Sequence, residues 1–299
     1  MTNVRNLDDV LLPEISLQRR QAYLEAPALK DSEAIRANAF YFGNPAWADE
    51  YLTYCHRTDH FKNRWLAAGG DWTDKVVVDL GCGPGNIFAT LGGKPRLLIG
   101  VDVAAASLES AARLGYTAVL ADAAQVPFRS GFADIVAINA SLHHCEDMTA
   151  VLREAARLVK PGGMLISDHD PQLSAWDYKG LAKLMWDARL WVYRLTQHGF
   201  HKTGFQQTSG LQTEIHHKPG HGVTEGFFRE TLEPLGFEVK VHAHNHESGA
   251  EVLDGDHGRA HWKYRLGNVL SGRHPDARTS ALSLMCIAKK TVADLPGQP

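Results

Sequence analysis

Asp79, Asp102 and Asp122 each close a short apolar run, and Gly81, Gly83 and Gly85 follow the first of them. The types and spacing of these six residues could do chemistry. Glycine admits positive φ and lets a ligand approach the backbone closely. A helix opening at Asn86 would turn its first N–H groups toward that ligand, where a carboxylate or phosphate is welcome. At the end of a strand, Asp102 can accept from both hydroxyls of a ribose. Asp122, in "VLADAAQVPF", is placed to accept from an adenine amino group.

A dinucleotide and a sulfonium nucleoside both carry a ribose and an adenine. The spacing here is G-x-G-x-G, whereas the dinucleotide fingerprint is G-x-G-x-x-G. Asp79 would repel a pyrophosphate and attract an ammonium. A cationic sulfonium amino acid therefore suits this turn better than NAD.

Positioning such residues takes alternating strands and helices. Apolar runs at 76–80, 97–102, 117–120, 135–139 and 164–168 read as strands, with helix-compatible stretches at 86–91, 104–114 and 149–159 between them. That alternation predicts a doubly wound, mostly parallel α/β sheet. Upstream, residues 44–70 read as one helix with Asn44 as cap and Trp47, Tyr51, Tyr54, Phe61 and Trp65 on one stripe. Downstream, residues 174–199 read as an amphipathic helix, with Leu181, Leu184, Ala188, Trp191 and Leu195 on one face and Gly199 at its end. Residues 200–223 read as a Gly- and His-rich loop and residues 247–279 as irregular chain. The expected organisation is an N-terminal helical arm (1–70), a nucleoside-binding core (71–170), a helical cap insertion (171–223), a core helix and sixth strand (224–246), a lid insertion (247–279), a last core strand (280–290) and a tail (291–299).

Four segments, "VVVDLGCGPGN", "LLIGVDVAAASL", "VLADAAQVPFRSGFADIVAINASLHHCED" and "LREAARLVKPGGMLISD", occur in this order over residues 75–168. Together they resemble a class I S-adenosylmethionine-dependent methyltransferase, in the small-molecule group that includes the ubiquinone/menaquinone C-methyltransferases. The resemblance implies a seven-stranded Rossmann-like sheet, S-adenosyl-L-methionine as cofactor and S-adenosyl-L-homocysteine as product. It also implies residue roles. Asp79 and the backbone of Gly81, Cys82 and Gly83 would hold the methionine part. Asp102 would take the ribose, with Val103 beside the adenine. Asp122 and the N–H of Ala123 would read the adenine edge, and Asn139 would lie near the reacting methyl.

Methyl transfer needs an acceptor atom held in line with the methyl, and a base only if that atom must lose a proton. Ligands of open α/β sheets bind beyond the carboxyl ends of the strands, so candidate bases follow strands four and five. After strand four stand His143 and His144. After strand five stands "SDHDP", with Asp168 and with His169 between two carboxylates, which predicts a raised imidazole pKa. Asp168, His169 and His144 are the candidate catalytic residues. Both insertions leave from the ligand side of the sheet and are expected to cover the cleft, with Trp176, Trp186, Trp191, Tyr193 and Trp262 either lining a pocket or forming the cap's own core. His242, His244 and His246 alternate and would share one strand face, a spacing suited to a metal. A solvated face near the sheet edge is the preferred reading of them, and no metal is expected.

Bulk properties exclude other classes. The chain has 299 residues, 44 % hydrophobic and 22 % charged, with a formal net charge of −3. No global basic field draws it to nucleic acid or lipid. The fourth strand continues as "NASL" where an amino-directed DNA methyltransferase would carry N-P-P-[YF], and "LQRRQ" is the only short basic run. No apolar run approaches membrane-span length. Four widely separated cysteines and the absence of an apolar signal stretch point to the cytoplasm. The expectation is a cytoplasmic methyltransferase acting on a C, N or O atom of a small apolar or aromatic metabolite, with no nucleic-acid or membrane partner. An RNA-directed enzyme and a non-catalytic cofactor-binding protein are the alternatives.

Overall fold

The computed structural model describes residues 4–27, 29–44, 57–196, 203–216 and 220–292. Trp47, Tyr51, Tyr54, Gly199 and most of the tail lie outside the described residues. Three valines open β3 (Val76–Leu80), and the whole strand is buried. A parallel strand covered by helices on both faces has this signature. On one side of it lie β4 (Leu97–Asp102) and β5 (Thr117–Leu120), and on the other β6 (Ala133–Asn139) and β7 (Val159–Pro171), all parallel. β9 (Ser283–Lys290) runs antiparallel between β7 and β8 (Phe237–His244). The strand order therefore reverses at β3, and a crevice opens beyond the carboxyl ends of β3, β4 and β6.

The sheet has nine strands, not the expected seven. The extra pair comes from the N-terminal arm, which is not purely helical. β1 (Gln18–Arg19) and β2 (Leu24–Glu25) form a short antiparallel pair, and β2 joins β5 in parallel through Leu24↔Val119. This pair covers an edge that β5 would otherwise leave with unpaired backbone groups.

One face of the sheet buries Phe61 and Trp65 of the helix Asp59–Gly69, Ile87 of Asn86–Leu91 and Leu108 of Ala105–Arg113. The other buries Val151, Leu152 and Ala155 of Met148–Leu158 and Phe228 of Glu225–Leu232. Thr58, not Asn44, caps the helix Asp59–Gly69, its hydroxyl accepting from Phe61 N at 3.2 Å.

The added segments differ from their sequence reading. Residues 200–223 hold a helix, Gly204–Thr213, and residues 247–279 hold another, Trp262–Leu270, after a short 3-10 turn at Ala250–Asp254. The helix after Pro171 is two helices, Leu173–Trp176 and Gly180–Thr196, separated where Gly180 takes φ +54°. The apolar stripe of the longer helix does not face inward. Leu184, Trp191 and Leu195 are 65 %, 72 % and 82 % exposed. The opposite side packs instead, because Trp176, Tyr178 and Ala182 form a small separate core with Trp186 and Tyr264.

Gly85 shows how tightly the first turn is seated. It has φ +92°, and a Cβ there would lie 2.9 Å from both Leu114 and Tyr116. Gly85→Ala is therefore expected to cost about 1–3 kcal/mol, read as a lowered urea midpoint in chemical denaturation.

Candidate active site

Gly81 and Gly83 bend the chain with φ +69° and +52°. The amides of Gly81 and Cys82 both donate to the Val101 carbonyl, at 2.8 and 3.0 Å, and the Gly83 amide donates to Asp102 Oδ2 at 2.8 Å. These three amides of the turn are thus bonded inside the protein. Asp79 is fully buried at the turn's base, and Tyr116 donates its hydroxyl to Oδ2 at 2.8 Å. Oδ1 of Asp79 is buried with no hydrogen-bond partner. Burial pushes the Asp79 carboxyl up to about 7, and the nearby Asp102 adds to the rise. A buried, half-satisfied carboxylate is costly unless a donor reaches it. Among the described residues no cation pairs with Asp79.

These residues line a cleft of about 170 Å³ together with Val103, Asp122, Ala123 and Asn139. Asp102 accepts from the amides of Gly83 and Ala104, each at 2.8 Å, which pins its carboxylate while each oxygen keeps a second acceptor site. The Ala124 amide fixes Asp122 Oδ1 at 2.9 Å. Gly85 does not line the cleft. Its vacant side faces Leu114 and Tyr116, so its smallness serves packing.

A second cavity, of about 760 Å³, lies under the added helices. Phe42 and His144 line both spaces, so the two meet there. His144 Nδ1 lies 2.8 Å from the Thr213 carbonyl, which makes that nitrogen the N–H donor and leaves Nε2 as an acceptor. Burial, then the neighbouring His143, push His144 down to about 3, so its ring is neutral near pH 7. His143 Nδ1 lies 2.9 Å from Asp170 Oδ1, and burial raises that carboxyl to about 7.

The "SDHDP" cluster departs most from expectation. Asp168 is fully buried and lines neither cavity. Its Oδ2 accepts from Arg64 Nε at 3.0 Å, and its Oδ1 lies 2.7 Å from His244 Nε2 and accepts the His169 amide at 2.8 Å. Burial alone would raise Asp168, but Arg64 and then His244 hold it well below the usual carboxylate range. It positions other groups and cannot meet a substrate. His169 does line the second cavity, but its pKa is lowered, not raised. Burial is the largest cause, and with Arg64 and two histidines beside it the pull of Asp168 does not prevail. His169 has φ +62°, unusual for a non-glycine residue, and its Nδ1 sits 3.4 Å from Asn139 Oδ1. Asn139 and His169 thereby connect the smaller cleft to the larger.

Of the three alternating histidines only His242 and His244 lie on the strand. β8 ends at His244, which turns inward to Asp168, while His246 Nε2 lies 3.0 Å from Ser283 Oγ. Among the described residues no group of three or more His, Cys, Asp or Glu could hold a metal. Sequence reading missed Arg64. Its signal was present, because Arg64 falls on the same helical stripe as Phe61 and Trp65, where a charge needs a buried partner.

The reversal at β3, the acidic residues beyond the strand ends and the glycine turn define a Rossmann-like, doubly wound α/β fold. Residues 78–167 match the family described as "Methyltransferase domain". The chain is similar to the demethylmenaquinone methyltransferase of Corynebacterium kroppenstedtii, 36 % identical over 89 residues, 30 % of this chain and 39 % of that protein. It is similar to the ubiquinone biosynthesis O-methyltransferase of Stutzerimonas stutzeri, 28 % identical over 118 residues, 37 % of this chain and 50 % of that one. The chain thus spans half or less of the length of these curated relatives. In fold it resembles the crystal structure of the [4+2]-cyclase SpnF, with a TM-score of 0.52 and 15 % identity over 89 % of this chain and 98 % of that one. It likewise resembles a Thermotoga maritima S-adenosylmethionine-dependent methyltransferase, with a TM-score of 0.50 and 15 % identity over 85 % and 99 % of the two chains. Among the described residues no helix is long and apolar enough to cross a membrane.

Removing one partner of a sealed ion pair leaves the other charged and unsolvated. Arg64→Met is expected to destabilise the fold by about 3–5 kcal/mol, measured by urea denaturation at pH 7.

Proposed function

We propose that the protein transfers a methyl group from S-adenosyl-L-methionine to a C, N or O atom of a small, apolar or aromatic metabolite, releasing S-adenosyl-L-homocysteine. One observation carries this reading: an acid-lined cleft at the strand ends opens, at Phe42 and His144, into a larger cavity walled by Trp176, Tyr178, Trp186 and Tyr264. Asp79 Oδ1 takes the amino acid's ammonium. Asp102 takes the ribose hydroxyls, with Val103 beside the base. Asp122 and the Ala123 amide take the adenine edge. The bound cofactor supplies the activated methyl.

The protein's share is position and exclusion of water. Phe42 and the aromatic wall keep the junction apolar, and Asn139 and His169 sit where the two spaces join. His144, neutral and with Nε2 as an acceptor, orients an acceptor N–H or O–H. A base with so low a pKa is weak, so an acceptor that ionises easily or needs no deprotonation is favoured. A cavity lying beneath the added helices favours a small molecule over a nucleic acid.

Two measurements test the cofactor site. Asp102→Ala should weaken S-adenosyl-L-homocysteine binding by about 1–3 kcal/mol in calorimetry, and unchanged affinity would remove Asp102 from it. An ammonium favours ionised Asp79, whose carboxyl titrates at about 7 in the free protein. Binding below that pH must expel a proton, so affinity should fall by up to about tenfold per pH unit below 7 and level off above it. In Asp79→Asn this dependence should vanish. Incubating a metabolite extract with methyl-labelled S-adenosyl-L-methionine tests the transfer itself, since a protein that binds cofactor yet labels nothing would support the non-catalytic alternative.

A further inference from the structure

The two adjoining cavities differ in charge. The cofactor cleft is lined by Asp79, Asp102 and Asp122, and its Lys30 is already paired with Glu146 at 2.7 Å. The larger cavity is lined by Arg189, Arg259 and Lys263, against two carboxylates, Glu214 and Glu247. Among the described residues no carboxylate stands within ion-pair distance of any of these three cations. Arg259 and Lys263 are exposed at the rim, whereas Arg189 is half-buried on the helix Gly180–Thr196.

Arg189 is held as an anion receptor would be. Its guanidinium carbon lies 3.5 Å from the centroid of the Trp186 ring, and Nη1 donates to the Trp186 carbonyl at 2.5 Å. Stacking and this one bond fix the plane of the fork, and its remaining N–H groups are uncommitted. Burial draws this guanidinium partly out of water while Glu214 and Asp187 act on it only at longer range, so a direct counter-ion is favoured. A planar carboxylate is the group its fork matches in a bidentate pair. Trp176 packs edge-on against both Trp186 and Tyr264, with ring centroids 5.4 Å apart in each pair, so an aromatic surface adjoins the cation.

We propose that the methyl acceptor is a planar aromatic acid. Its carboxylate, or an equivalent oxyanion, pairs with Arg189, its ring lies along the Trp186–Trp176–Tyr264 wall, and its methylated end points to the junction at His144. This rests on the methyltransferase reading. The carboxylate is the handle and is not itself methylated. Specificity then comes from a charge on the cap, separate from the residues that take the cofactor.

The test uses the full-length protein saturated with S-adenosyl-L-homocysteine, and 2-naphthoate and 2-naphthamide as probes of equal shape and different charge. Calorimetry should show the acid binding at least about tenfold more tightly than the amide. Arg189→Gln should bring the two to parity while leaving S-adenosyl-L-homocysteine affinity unchanged, and Arg189→Lys should keep part of the preference. Equal affinities in the wild type, or no binding of the acid by cofactor-saturated protein, would overturn the proposal without touching the methyltransferase reading. Failure of the cofactor itself to bind would overturn both. As an independent measurement, the labelled product from a metabolite extract should be retained on an anion exchanger at neutral pH, and a product that passes through uncharged would refute the acidic handle.

Discussion

A carboxylate with no access to water sets the terms for the ligand side of this fold. Asp168 ends the paired stretch of β6 and β7 and is sealed from solvent. It persists ionised only because Arg64 arrives from the helix Asp59–Gly69, His244 from β8 and an amide from His169. Each partner is supplied by a different part of the chain, so satisfying one charge fixes several elements at once. Arg64 also donates to the Ser248 carbonyl, which ties the segment after β8 to the same point. A sealed ion pair of this kind contributes little net stability compared with apolar packing, but its geometry has few alternatives. The left-handed backbone of His169 is held by these bonds, and its ring stacks on Phe61 with centroids 5.5 Å apart.

How much of this was legible in the sequence follows from the range of each interaction. Turn, strands and acids were readable because a β-branched run, a glycine and a terminal Asp declare themselves within a few residues of one another. The bonds of the turn's amides were not legible, because the Val101 carbonyl that accepts from Gly81 and Cys82 belongs to the next strand. His169 was expected to be raised by its sequence neighbours, but Arg64, far away in sequence, and burial decide the sign. Residues 174–199 were read as one amphipathic helix, and the structure divides their described part between Leu173–Trp176 and Gly180–Thr196, whose leucine stripe is exposed. Periodicity shows that a stripe exists, and tertiary packing chooses which stripe is covered. The two short strands of the arm left no trace, since two residues are too few for alternation to register.

The opposite character of the two cavities makes chemical sense of their contact. In the proposed reaction the donor arrives positively charged, and charge is dispersed as the methyl moves. On that proposal, acidic groups at the ammonium, the ribose and the adenine would hold the donor through parts that do not react, so their attraction would not be lost in the transition state. The residues common to both cavities are uncharged near neutrality: Phe42 always, and His144 because burial keeps its ring unprotonated. A protonated imidazole there would face the sulfonium and oppose its approach. The buried environment that makes His144 a weak base is therefore what permits an imidazole at that position at all. A strong base so close to the cation would need a counter-charge, and the buried carboxylate of Asp170 is bonded to His143 instead. In the proposed reaction the acceptor would therefore supply its own nucleophilicity and the protein its direction.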